Sequence, residues 1–155
     1  SMDKAIKYND ALKRVMRLCS EREFCRQDIY EKLSKWEVEA GDKEKIISLL
    51  SEEKFIDETR YASAFAKDKF RYNKWGRVKI AMMLRSKGID EKTITTALDS
   101  IDEDSYTKTL RKIITAHKKS VKAGSLYELK GKLARYAISK GFESGLVYDI
   151  LENEI

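Results

Sequence analysis

The sequence predicts an all-α protein made of three tandem three-helix repeats in an elongated, curved arrangement. Three observations carry this. The 155 residues include no proline, where average usage would give about eight, and Lys, Glu, Leu, Ile and Ala recur at spacings of three and four, the period of an amphipathic helix. Period-2 alternation of β-branched and aromatic residues is missing, as is any Asn-Gly or Asp-Gly hairpin turn, so no sheet is expected. Two triplets, Ser86-Lys87-Gly88 and Ser139-Lys140-Gly141, punctuate the chain; glycine just past a periodic stretch is the usual left-handed helix stop.

The first repeat, residues 1–58, takes helices over 8–20, 26–36 and 42–53. Leu33 lies on its middle helix, Asp42 opens the third, and a short insertion from Glu37 to Gly41 replaces the Lys-Gly stop. The second repeat, residues 59–103, takes 58–73, 76–87 and 90–101. Asp57 caps its first helix and Glu58 supplies first-turn charge; Gly76-Arg77 opens the middle helix and Gly88 closes it. The third repeat, residues 104–155, takes 104–120, 126–140, which ends at Gly141, and 143–153. Each glycine stop is followed at once by Ile89 or Phe142, then six residues on by Ile94 or Val147, and ten on by Leu98 or Leu151. A spacing of four puts those last two on one helix face. Ile46 and Leu50 take the same places in the first repeat, and the spacing of Ile46, Ile94 and Val147, 48 and 53 residues, marks three copies of one unit.

Hydrophobic residues make up 42% and charged residues 37%, enough apolar material for a folded rather than a disordered chain. The longest apolar run, Ile80 to Leu84, falls far short of the roughly 20 residues a bilayer span needs. No basic stretch followed by an apolar one opens the chain, and Ser1-Met2 resembles a tag remnant, so a cytosolic compartment is expected. Cys19 and Cys25 are too few for a disulfide framework and are expected to be reduced. The single histidine, His117, excludes a paired-His metal site and lies beside Lys118 and Lys119 on a solvated helix end. Cys25 stands at a helix start, where a structural role is expected. Glu52, Glu53, Asp57 and Glu58 fit no calcium loop, and no phosphate loop or dinucleotide fingerprint is present. No enzyme, no metal and no cofactor are expected.

The formal net charge of +6 is segregated. The first repeat carries 12 basic and 14 acidic residues, whereas the second and third each carry 10 and 6. Within residues 60–88 nine cations accompany one acid, Asp68; within 104–141 ten accompany Asp104 and Glu128. Charge concentrated in this way attracts a polyanion. Phe65, Phe70, Tyr72 and Trp75 are interleaved with the cations of the second repeat, a mixture that suits single-stranded nucleic acid, whose phosphates meet cations while bases stack on rings. Phe65 belongs to a core-facing stripe with Ala62 and Ala66, so Tyr72 or Trp75 is the ring expected at the surface. The free N–H groups of the helix start at Gly76-Arg77 could meet a phosphate, a geometry common to every helix start.

The run Leu49-Leu50-Ser51-Glu52-Glu53-Lys54-Phe55-Ile56-Asp57-Glu58-Thr59-Arg60-Tyr61-Ala62-Ser63-Ala64-Phe65, followed by Gly76, Ile80, Leu84 and Lys87-Gly88-Ile89, resembles the signature of the RecX family of bacterial recombination regulators. Phe55-Ile56-Asp57 leading into Arg60-Tyr61-Ala62 is its most specific part, and the likeness runs from about Ala11 to Leu151. Cys25 stands where a serine cap is usual, and Glu58 replaces a second aspartate. The resemblance implies tandem three-helix repeats and a non-enzymatic modulator of the RecA recombinase. Such proteins lie along the groove of the RecA filament on single-stranded DNA, inhibit strand exchange and ATP hydrolysis, and impede filament growth. On that basis Lys67, Lys69, Arg71, Lys74, Arg77, Lys79 and Arg85 form the principal filament- or DNA-facing set, extended by Lys118, Lys119, Lys122, Lys130, Lys132 and Arg135, about half of them being solubilising surface. The expected partners are the recombinase filament and single-stranded, with double-stranded, DNA, and the chain is expected to be a monomer.

Two alternatives belong to other classes. A stand-alone DNA reader of tandem helix-turn-helix type needs Arg, Asn or Gln at exposed helix starts, whereas the third helices, Asp90 to Ile101 and Glu143 to Leu151, carry none of these. A neutral helical scaffold leaves the charge segregation without a cause.

Overall fold

The computed structural model describes residues 7–155, so Ser1 and Met2 lie outside the described residues. In order, the helices are α1 (Tyr8–Glu21), α2 (Arg26–Lys35), α3 (Ala40–Glu52), α4 (Glu58–Asn73), α5 (Arg77–Ser86), α6 (Glu91–Asp99), α7 (Glu103–Lys118), α8 (Leu126–Ser139) and α9 (Ser144–Glu154). No strand occurs among the described residues. The extensively packed helix pairs are α1 with α3, α2 with α3, α4 with α5 and α6, α5 with α6, α7 with α8, and α8 with α9. All of them fall within consecutive triplets.

The middle helices α2, α5 and α8 end in one shared motif. Glu37, Gly88 and Gly141 adopt left-handed φ values of 59°, 76° and 97°. Their N–H groups donate to the carbonyls of Ser34, Arg85 and Ile138, and those of Val38, Ile89 and Phe142 donate back to Leu33, Leu84 and Ala137 at 3.0, 3.1 and 3.3 Å. This 6→1 closure satisfies carbonyls that the helix end would otherwise orphan. In the first triplet Glu37 itself is therefore the stop. The extra residues after it do not form a loop: α3 begins three residues past its stop, as α6 and α9 do past theirs. The insertion is absorbed as nearly one added helical turn, which returns Ile46 to the buried face.

Buried side chains form two clusters. One belongs to the first triplet and includes Ala11, Val15, Phe24, Ile29, Leu33, Ile46, Leu50 and Ile56. The other is continuous through the second and third triplets, from Tyr61 to Leu151, and receives Cys25 from the first. Phe70, Tyr106 and Phe142 link those later triplets, with ring centroids 5.6 and 5.1 Å apart in sequence along the set.

The triplets meet end to end through their middle helices. At the later junction the start of α5 abuts the end of α8: Gly76 N–H donates to the Lys140 carbonyl at 2.8 Å, Val78 N–H to the Gly141 carbonyl at 2.9 Å, and Arg77 N–H to the Tyr106 hydroxyl at 2.9 Å. A Cβ on Gly76 would overlap the Gly141 carbonyl and Phe142 N, and one on Gly141 would overlap the Lys79 Cβ. At the earlier junction the start of α2 meets the end of α5, where Lys87 Nζ contacts Asp28 Oδ1 at 2.7 Å. Burial works to raise the Asp28 carboxyl, but hydrogen bonds from Lys87 and Cys25 hold it below the ordinary value. The lysines of both Ser-Lys-Gly triplets thus reach toward the preceding triplet, since Lys140 Nζ donates to the Asn73 carbonyl at 3.1 Å.

Arg77 closes the later junction from the side. Its guanidinium lies 3.8 Å from the Tyr106 ring centroid and pairs with Glu143 at 2.8 Å and with Glu103. Tyr106 donates its hydroxyl proton to Glu143. Burial tends to raise the Glu143 carboxyl; the Tyr106 and Arg77 hydrogen bonds outweigh it and leave the group below 4.5, the ordinary value.

Two outcomes follow from these contacts. In urea unfolding, Gly76→Ala, which sets a methyl against backbone, costs about 3 kcal/mol, whereas Gly88→Ala costs about 1 kcal/mol. The latter suffers only the left-handed strain, because the nearest atom to its Cβ, 3.5 Å away, is the end of the Gln27 side chain. Because the folded-state Glu143 value is depressed, its contribution is present above pH 4.5 and is lost as pH falls through the lower folded value. Glu143→Gln is therefore less stable than the parent by about 1 kcal/mol at pH 7, and unfolding midpoints measured down the acid limb converge below pH 4.5.

Candidate nucleic-acid interface

The cations predicted from the sequence divide into two clusters and several residues committed to structure. The first cluster lies where α4 ends and α5 begins. Asp57 starts α4 by accepting the Arg60 N–H at 3.0 Å, and Lys74, with φ 57°, ends it. Lys67 and Arg71, four apart on α4, are exposed. Lys69 and Lys79, from α4 and α5, place their ammonium groups 5.0 and 4.5 Å from the Trp75 ring centroid, and Lys69 also lies 5.5 Å from that of Phe65. One indole thus steadies two like charges through its negative face without neutralising them. Arg71 lies 5.4 Å from the ring of Tyr72, which is 70% exposed. Tyr72 is therefore the open ring, while Trp75 is half-buried against the core. Lys74 Nζ donates to the Arg71 carbonyl at 2.6 Å.

The second cluster surrounds the seven-residue connection between α7 and α8. Lys118, Lys119 and Lys122 are exposed there, and Lys130 is half-exposed on the first turns of α8. Ser125 Oγ caps α8 by accepting the Glu128 N–H at 3.1 Å, and Glu128 in turn accepts the Gly124 N–H at 3.0 Å. Glu128 is also held by Lys132 at 3.0 Å, and that hydrogen bond lowers its carboxyl below the ordinary value. Lys132 donates further to the Lys122 carbonyl. A cleft of about 370 Å³, lined by Lys118, Val121, Ala123 to Leu126 and Leu129, runs beside this segment. Since Lys140, at the far end of α8, contacts Asn73 in the first cluster, the two clusters are separated by the length of α8, about 20 Å. Exposed Arg135 lies between them along the helix.

Arg77 and Arg85 join neither cluster as free charges. Arg77 is held by Glu103, Glu143 and Tyr106, as described, and Arg85 pairs with Glu91. The phosphate contact that the start of α5 could offer is closed off by the third triplet. The N–H groups of Gly76, Arg77 and Val78 are all occupied by acceptors of the third triplet, and Gly141 packs against the Lys79 N, so the end of α8 covers this helix start.

Two contributors escaped the sequence. Tyr127, 90% exposed beside the basic connection, falls two residues before Leu129 and hence opposite the Leu129, Leu133 and Ala137 stripe; that offset was the available signal. Lys140 gave none, because its contact is tertiary. His117, placed on a solvated helix end, stacks on Tyr136 with ring centroids 3.7 Å apart. No group of three or more His, Cys, Asp or Glu able to hold a metal ion occurs among the described residues. Cys25 caps α2 from within the core, and burial pushes its thiol up to about 11, far from a reactive thiolate. Among the described residues, no helix is long and apolar enough to cross a membrane.

Comparison with known proteins adds independent findings. The family model described as "RecX, second three-helix domain" matches residues 57–98, the segment that runs from the α4 cap through α5 and nearly all of α6. A protein of Clostridium tetani (strain Massachusetts / E88) named "Regulatory protein RecX" is 32% identical over 118 residues, 75% of this chain and 54% of that protein. One of the same name from Clostridium botulinum (strain Eklund 17B / Type B) is 32% identical over 115 residues, 72% and 52%. The chain spans about half the length of these curated relatives. Among solved structures, "Crystal structure of regulatory protein RecX" superposes with a TM-score of 0.85 at 23% identity, covering 95% of this chain and 72% of that one. "Crystal structure of RecX from Lactobacillus salivarius" gives 0.78 at 17% identity, covering 94% of each. The Phe55-Ile56-Asp57 and Lys87-Gly88-Ile89 motifs, the matched second triplet and the shared all-helical fold agree: this chain belongs to the RecX family.

Proposed function

We propose that this chain is a non-enzymatic regulator of a RecA-type recombinase, which it binds as the filament assembled on single-stranded DNA and whose growth, ATP hydrolysis and strand exchange it restrains. The observation that carries the proposal is the pair of basic clusters in which Lys67, Lys69, Arg71, Lys79, Lys118, Lys119, Lys122 and Lys130 have no carboxylate partner among the described residues. Each cluster also presents an exposed ring, Tyr72 or Tyr127. Cations free of acids beside open aromatic faces suit a flexible polyanion. Triplets joined end to end, residues 1–58, 59–103 and 104–155, form a row able to follow a helical groove. A monomer in the cytosol suffices for this role.

Base reading is a poor fit. A helix-turn-helix reader presents a helix start to the groove, whereas the start of α5 is covered by α8, and the exposed positions of α6 include Glu91, Thr95, Thr96 and Asp99.

With about six phosphate contacts, log K for a labelled single-stranded oligonucleotide falls against log salt with a slope near −4. A slope near zero removes direct DNA contact. DNA-stimulated ATP hydrolysis by the cognate recombinase, titrated with this protein, is expected to fall toward a plateau; an unchanged rate at saturation, with no co-sedimentation, rejects the regulator function.

A further inference from the structure

We propose that the outward face of α5, continued onto the end of α8, is a protein-docking strip, and that its occupant is an acid-rimmed apolar patch on the recombinase subunit. The proposal rests on the regulator function above and deepens it by separating the protein-facing surface from the DNA-facing one.

The strip is defined by register. Counting back three, six and ten residues from each left-handed stop gives Ser34, Glu31 and Gln27 on α2, Arg85, Met82 and Val78 on α5, and Ile138, Arg135 and Gly131 on α8. The same three positions reach solvent in every middle helix. On α2 all three are polar, so the fold imposes no apolar residue there. Yet Val78 and Met82, four apart on α5, are 53% and 57% exposed, and Ile138 is 37% exposed where α8 meets α5. Their aliphatic character serves neither the core nor solubility.

Charge selects the occupant. No acid occurs between Asp68 and Asp90, nor between Glu128 and Glu143, and the end-to-end junction brings these two stretches together. The carboxylates at that junction, Glu103 and Glu143, are engaged by Arg77, and Glu91 by Arg85. Lys74 and Lys140 therefore edge the aliphatic strip with no carboxylate in ion-pair contact among the described residues, and Arg135 adds its charge, interacting with Glu128 without a direct ion pair. An acidic protein surface complements that rim and its apolar side chains cover the strip. Nucleic acid does not: aliphatic side chains offer phosphate no charge and bases no ring, and the two most exposed rings among the described residues, Tyr72 and Tyr127, belong to the two basic clusters.

The test is the charge-neutral double variant Val78→Gln/Met82→Gln in the full chain. Four measurements compare it with the parent: co-sedimentation with recombinase filaments on single-stranded DNA, anisotropy of a fluorescein-labelled oligo(dT) without recombinase, sedimentation velocity, and a far-UV melting curve. The apparent Kd for filaments is expected to rise about tenfold, with the oligo(dT) Kd within about twofold of the parent and an unchanged far-UV melting curve. Parental affinity for filaments overturns the strip and leaves the regulator function standing. An equal loss on oligo(dT) makes it a nucleic-acid surface, and a parent dimer that the variant dissociates makes it a self-association surface; either result overturns the proposal. A parent that fails to co-sediment removes the regulator function and the strip with it.

Discussion

The end of α8 set against the start of α5 is the contact on which the architecture of the later two-thirds depends. A helix start carries unsatisfied N–H groups and partial positive charge, and a helix end carries unsatisfied carbonyls and partial negative charge. Here one set answers the other: the Lys140 and Gly141 carbonyls accept from Gly76 and Val78. The approach is possible because neither Gly76 nor Gly141 has a Cβ. Two triplets whose helices otherwise pair internally are thereby fused over a continuous core. The junction between the first and second triplets is built differently, from the Asp28–Lys87 ion pair and the inserted Cys25, with side chains doing there what backbone does at the other.

That junction also sorts the cations. Arg77 belongs by sequence to a basic run, but its position beside Tyr106, Glu103 and Glu143 turns it into an internal brace. Lys69 and Lys79, a few residues away, meet aromatic rings, Trp75 for both and Phe65 for Lys69, and keep their charge available. An ammonium on an aromatic face is held in place at little loss of its field, whereas a guanidinium between two carboxylates has that field cancelled. Members of one charge run thus take opposite roles, according to what the neighbouring triplet puts opposite them.

Family membership and surface chemistry complement one another. Likeness to RecX relatives speaks for the fold and for the motifs at Phe55 to Ala62 and Lys87 to Ile89, which cap, stop and fill helices. The basic clusters and the aliphatic strip along α5 lie mostly outside those motifs. They are set by where this chain places its exposed side chains.

Helix count, helix positions and the threefold repeat were legible in the sequence, because periodicity, capping and the glycine stop are local effects within about one turn of chain. Gly88 and Gly141 marked their stops; Glu37 did not, since a left-handed glutamate has no sequence signature, and an insertion was expected where the structure closes the helix directly. Charge segregation, too, could be counted. What only the tertiary structure decided is which charges remain free and which helix starts remain open. Arg77 lies 66 residues from Glu143, and Gly76 is 64 residues before Lys140; pairings over such separations depend on how whole triplets stack, which no local pattern encodes.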